Sequence, residues 1–200
     1  MKKQLKWVCI PVLLGLFWFS GLISDKISLQ NDLIRLHVVA NSDSPEDQAL
    51  KLQVRDAVVA WLEPAMECIT DKEQAQAYIL ENLEALTNTA NRVLQELGVS
   101  DRATVSLTRE EFDTRHYETF SLPSGVYDAL RVEIGSGEGK NWWCVVFPSL
   151  CMPSATDDVQ DMAVSSGFSE DLSNTLTRKD GYKIRFLLLD WIGKLENFFR

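Results

Sequence analysis

Two hundred residues, 46% of them hydrophobic, suffice for one domain with a substantial core. Lys2, Lys3 and Lys6 precede the first acidic residue, Asp25, so the rest of the chain carries 17 basic residues against 29 acidic ones, a net of −12. Such an acidic body argues against binding nucleic acid or an anionic lipid surface through non-specific charge.

In chain order, residues 1–24 read as a targeting segment. The three lysines form a positive n-region ahead of an uncharged, mainly apolar run over residues 7–23. Positive charge stays on the cytoplasmic side, so the remainder is expected to be exported. The run is long for a signal-peptide core and short for a membrane span, which leaves two fates open, a cleaved signal peptide or a retained anchor. Membrane contact is expected only through residues 7–23, and only in the second case. Residues 25–32 form a short polar linker.

Residues 33–40 alternate as a strand, with Leu33, Arg35, His37 and Val39 on one side and Ile34, Leu36, Val38 and Ala40 on the other. The acids in the following Asn41-Ser42-Asp43-Ser44-Pro45-Glu46-Asp47 suggest calcium, but the spacing lacks the glycine and terminal glutamate of an EF-hand loop. A helix start fits better: Ser44 as cap, Pro45 in the first turn, and Glu46 and Asp47 at the positive end of the dipole. The first helix is expected over 45–62, stopped by Pro64. A second is expected over 71–97, capped by Gly98.

A short strand is expected over 103–107 and a weaker edge strand over 111–122. Residues 126–134 alternate as a strand, Gly135, Gly137 and Gly139 make a turn, and residues 142–147 form a strand apolar on both faces. The two strands are expected to pair as a hairpin. The glycines are not read as a phosphate loop, because they lead into a strand and not a helix. Residues 152–181 read as a mobile acidic loop, and residues 184–199 as an amphipathic helix packed on the sheet. The result is an α+β domain over 33–200, with an antiparallel or mixed sheet of about five strands and helices on one face. An N-terminal signal or anchor helix precedes it.

Little in the chain offers chemistry. Two histidines and no CxxC pair make a zinc site hard to assemble, and no metal or cofactor is expected. Cys144 as a nucleophile would need His37 or His116 beside it, and a thiol inside an apolar strand is inert, so no catalytic residue is assigned. Export would let Cys144 and Cys151 form a bridge, worth roughly 2–3 kcal/mol if unstrained, although spacing alone does not fix its geometry. Trp142 and Trp143 are neighbours on a strand and face opposite ways. One is expected in the core and the other exposed as an anchor for a partner.

Two stretches carry a resemblance. Ile34-Arg35-Leu36-His37-Val38-Val39-Ala40-Asn41-Ser42-Asp43-Ser44-Pro45-Glu46-Asp47 and the run from Gly125 through Asn141-Trp142-Trp143-Cys144 to Cys151 resemble the signature segments of the stage II sporulation protein R family of endospore formers. The resemblance implies a secreted signalling protein made in the forespore. It would act between the septal membranes on the extracytoplasmic part of a membrane-embedded aspartic protease, the stage II sporulation protein GA, which cleaves pro-sigma E. It also implies a partner-binding surface drawn from Asn41, Ser42, Asp43, Asn141, Trp142 and Trp143. Rival readings are a cell-envelope hydrolase using the Cys144 thiol and an envelope-binding module with one tryptophan as a sugar platform.

Overall fold

The structure, a computed structural model, describes residues 30–116 and 121–148. The leader, the Cys151 side of the expected bridge, the acidic loop and the C-terminal helix all lie outside the described residues.

Strand β1, Ile34–Val39, is buried at all six positions. That fits its sequence, in which neither alternating face is dominated by solvent-seeking groups. Helix α1, Pro45–Met66, follows. The Ser44 side chain accepts from the Asp47 amide at 3.1 Å, with Pro45 in the first turn, as the sequence suggests. Leu50, Val54, Val58, Leu62 and Met66 make its buried stripe. The helix runs past Pro64, which lies inside it. A proline removes its own amide and crowds the turn before it, so residues after it can stay helical.

The single long helix expected next is two, α2, Lys72–Glu81, and α3, Leu83–Glu96. Asn82 divides them. Its backbone leaves the helical region (φ −114°, ψ 13°), and its side-chain amide donates to the Tyr78 carbonyl at 2.8 Å. An asparagine that bonds to local backbone competes with the helix ladder in this way. Gly98, with φ at +72°, closes α3 in the left-handed conformation that favours glycine.

Strand β2, Ala103–Phe112, is twice the expected length and absorbs the start of the predicted edge strand. The rest of that segment forms a separate two-stranded ladder, β3 (Arg115–His116) with β4 (Ser121–Leu122). Among the described residues the main sheet therefore has four strands and not the five expected. β5, Gly125–Ile134, and β6, Asn141–Phe147, complete it in the order β2-β5-β1-β6.

The expected β5–β6 hairpin is absent. β1 lies between them, parallel to β5 (Leu36 opposite Leu130) and antiparallel to β6 (Leu36 opposite Cys144). Two strand spacings are about 10 Å, a gap that the glycine loop over residues 135–140 can span. A strand buried on both faces belongs inside a sheet, and β6 takes the edge instead. The sheet is mixed, and α1 and α3 cover one face of it. There Ile34, Leu36, Val38, Leu130, Val132, Ile134 and Val146 meet Leu50, Val54, Val58, Leu86, Ala90 and Leu94 in one apolar core.

Candidate functional site

Because β1 is threaded between β5 and β6, the loop over residues 135–140 crosses the end of β1, where Asn41, Ser42 and Asp43 sit. The two segments are stitched together. The Asn41 side-chain oxygen accepts from the Ser136 amide at 2.9 Å. The Asn41 carbonyl accepts from the Glu138 amide at 3.3 Å, and the Ala40 carbonyl from the Gly139 amide at 2.9 Å. The Asp43 carboxylate accepts from the Lys140 amide at 2.7 Å. The approach is close enough to require glycine. A Cβ on Gly139 would lie 2.3 Å from the Ser42 carbonyl oxygen, and one on Gly135, where φ is +60°, 2.3 Å from the Asn41 side-chain oxygen.

The first turn of α1 holds this junction from below. Ser42 Oγ donates to the Asp47 carboxylate at 2.5 Å, and the Asn41 amide donates to the same oxygen at 3.2 Å. The Ser42 hydroxyl, helped by Asn41 and Ser44, outweighs burial and holds the Asp47 carboxyl below its ordinary range. Lys51 is buried, and its ammonium donates to the Lys140 carbonyl at 2.9 Å and to Gln48 at 2.6 Å. Burial lowers its pKa from the usual lysine value.

The tryptophans divide between the faces of β6. Trp142 is 37% exposed on the helix side, with the Arg55 guanidinium 4.2 Å from its ring centre. Trp143 lies half-buried on the opposite face. It stacks on its cross-strand partner His37 (centroids 5.8 Å apart, planes at 18°), with the Arg115 guanidinium 3.6 Å from its ring centre. Neither ring is a fully buried core residue.

His37 is the centre of a polar network on that second face. Its Nδ1 donates to the Glu110 carboxylate at 2.6 Å, and its Nε2 faces the Asn141 amide oxygen at 2.9 Å. Arg131 reaches Glu110 at 3.4 Å and Glu133 at 2.8 Å. Burial pushes the Glu110 carboxyl up. Hydrogen bonds from His37 and Thr108, with the charges of His37 and Arg131, outweigh burial and bring it down to about 2 from 4.5. The network ties all four strands together: Glu110 on β2, Arg131 on β5, His37 on β1 and Asn141 on β6. Among the described residues no hydroxyl or thiol nucleophile bonds to His37, and no group of three metal-ligating side chains converges. Cys144 faces the helix-side core and is disulfide-bonded, with its partner outside the described residues. Cys68 is a free, exposed thiol.

Of the six residues picked out in the sequence, Asn41, Ser42 and Asp43 thus gather around the glycine loop at one end of the sheet, with Trp142 beside them on the helix side of β6. The Asn141 and Trp143 side chains both turn to the opposite face, against His37.

The model of a family described as stage II sporulation protein R matches residues 30–157. The chain belongs to this family. It is 30% identical to the stage II sporulation protein R of Bacillus subtilis (strain 168), over 84% of each chain. No solved structure matches it. The match to the stage II sporulation protein R family spans both signature segments, which the fold brings into one junction. Sequence reading missed the His37 network. The one available signal was Arg35 and His37 sharing a face of β1, but their partners lie more than 70 positions away. The buried Lys51, four residues before Arg55 on a helix otherwise read for its apolar stripe, gave no signal at all.

Proposed function

We propose that this chain is an exported sporulation signal. In this reading it is secreted from the forespore into the space between the septal membranes, or tethered there by residues 7–23. It activates a membrane-embedded aspartic protease, the stage II sporulation protein GA, by binding its extracytoplasmic part, and processing of pro-sigma E follows. The observation that carries the reading is family membership over both signature segments. The ligand supplies no chemistry of its own. It shifts the protease toward its active state by binding that state better. The contact face is the end of the sheet bearing Asn41, Ser42, Asp43 and Trp142, with Asn141 and Trp143 on the opposite face of β6. The rival thiol hydrolase would need a free Cys144 thiol, and Cys144 is disulfide-bonded.

The test is reconstitution in a bacterium that does not sporulate, with the protease and pro-sigma E co-expressed. The chain is supplied exported, without residues 1–24, or as Cys144→Ser. Processing that needs export and survives Cys144→Ser supports a ligand acting from outside. Absence of processing with a competent protease overturns the reading.

A further inference from the structure

The junction offers few unspent groups. Asn41 uses its side-chain oxygen on Ser136 and its amide on Asp47, and its carbonyl accepts from the Glu138 amide and the Ser136 hydroxyl. Ser42 uses its hydroxyl on Asp47 and its carbonyl on Gln48. Asp43 Oδ1 takes the Lys140 amide at 2.7 Å, while Oδ2 lies 4.0 Å from the Lys140 ammonium. That ion pair is open to water, with the side chains 72% and 59% exposed, and such a pair contributes little. The bond to the amide is therefore the useful one. It requires an acceptor oxygen but not a charge.

On the other side of the junction, four backbone ties hold the loop: Ser136, Glu138, Gly139 and Lys140 each give their amide to residues 40–43. The Lys51 ammonium fixes the Lys140 carbonyl as well. Backbone is thus consumed inward. Of the exposed side chains of the loop, Ser136 is bonded to Asn41, and Glu138 and Lys140 are the charged ones that face solvent. A loop ordered before it meets a partner does not lose that freedom on binding.

We propose that Asn41 and Asp43 are positioning residues, which set the shape of the loop over residues 135–140, and that Glu138 and Lys140 on this loop make the polar contact with the partner. The inference rests on the ligand reading above and reassigns roles within its contact face. The partner surface that fits carries an acceptor for Lys140 and a cation or donor for Glu138, side by side, on a polypeptide face.

Asp43 gives the sharpest test, because asparagine keeps the acceptor oxygen and removes the charge. The full exported chain carries Asp43→Asn, Asp43→Ala, Gly139→Ala or the double change Glu138→Ala with Lys140→Ala. Two readouts are taken, pro-sigma E processing in the reconstituted cells and hydrogen exchange of the Glu138, Gly139 and Lys140 amides in the purified full chain. Asp43→Asn is expected to keep both near wild type. Asp43→Ala is expected to speed exchange at Lys140 by about tenfold or more and to lower processing by a similar factor. Gly139→Ala leaves Asp43 intact but forces the loop off the Ser42 carbonyl, so it should do the same at Glu138 and Gly139. The double change should leave exchange unaltered and lower processing.

If Asp43→Asn abolishes processing while the amides stay protected, the carboxylate itself touches the partner and the positioning role is overturned. Full processing by the Glu138/Lys140 double change overturns the contact role. Wild-type chain that yields no processing counts against the ligand reading alone, and the exchange data still decide whether Asp43 and Asn41 hold the loop.

Discussion

The two faces of the sheet are built on different physics. The helix face is apolar from β6 to β2, closed by the stripes of α1 and α3. Its burial free energy is non-directional and scales with area. The opposite face buries Arg35 completely, with its guanidinium 4.0 Å from the Phe112 ring centre and 5.1 Å from that of Tyr127. Beside it His37, Glu110, Arg131 and Glu133 form their network. His37, Glu110 and Arg131 meet particular partners on neighbouring strands, and Glu133 is bonded to Arg131 on its own strand. A one-residue slip of β1 would send Arg35 and His37 into the helix-side core. The first face contributes non-directional burial, and the second, which also buries Phe112, Tyr127 and Val145, fixes which strand lies where.

The largest effect should come from the helix face. Leu36→Ala removes a fully buried side chain at the centre of the core and should cost about 2–5 kcal/mol in urea unfolding. A loss below about 1 kcal/mol would mean that burial on this face contributes little.

The second face should reveal itself through coupling. His37→Ala and Glu110→Gln remove partners 2.6 Å apart, and their double-mutant cycle should show an interaction of about 1–3 kcal/mol. Leu36→Ala paired with Glu110→Gln joins the two faces and should be additive within about 0.5 kcal/mol. Strong coupling across the sheet would break the division drawn between the faces.

The face with charge should also be the face with pH dependence. The Glu110 carboxyl is held at about 2, below its ordinary 4.5. A depressed carboxyl contributes stability that is complete above the unfolded value and lost as pH falls through the folded one. Wild type should therefore lose about 1–2 kcal/mol more than Glu110→Gln on acidification between those values, allowing for the water that reaches this partly exposed pair. Thermal unfolding followed by circular dichroism at stepped pH measures the difference, and parallel curves would remove Glu110 from the acid response. The smallest effect is expected from Glu133→Gln. Its carboxylate is bonded to Arg131 but is more than a third exposed, and chemical unfolding should register less than about 1 kcal/mol.

How much of this the sequence reveals follows the same division. The helix face was legible because apolar residues recur at the helical period in α1 and α3 and at a period of two in β1 and β5. The Ser44-Pro45 start and the Gly98 stop were legible because caps are local. Strand order was not local. Gly135, Gly137 and Gly139 between two strands satisfy a hairpin turn as well as a loop that steps over a third strand. Only the burial of β1 on both faces separates the two cases. Asn82 broke a helix whose apolar period runs straight through it, since the bond to Tyr78 competes with periodicity without altering it. In the candidate site, Asn41, Asp43, Asn141 and Trp142 were picked out by resemblance. That Asn41 and Asp43 reach the backbone of the glycine loop follows only from the threading of β1.

That threading is therefore the claim to test first. Nuclear Overhauser contacts between backbone protons of isotope-labelled protein read it directly. With β1 in the middle, Leu36 shows contacts to Leu130 on one side and to Cys144 on the other. β5 and β6 then show none between themselves, being about 10 Å apart. Direct contacts between Val132 and Trp143, with Leu36 touching only one of the two strands, would restore the hairpin and contradict the junction at Asn41 and Asp43.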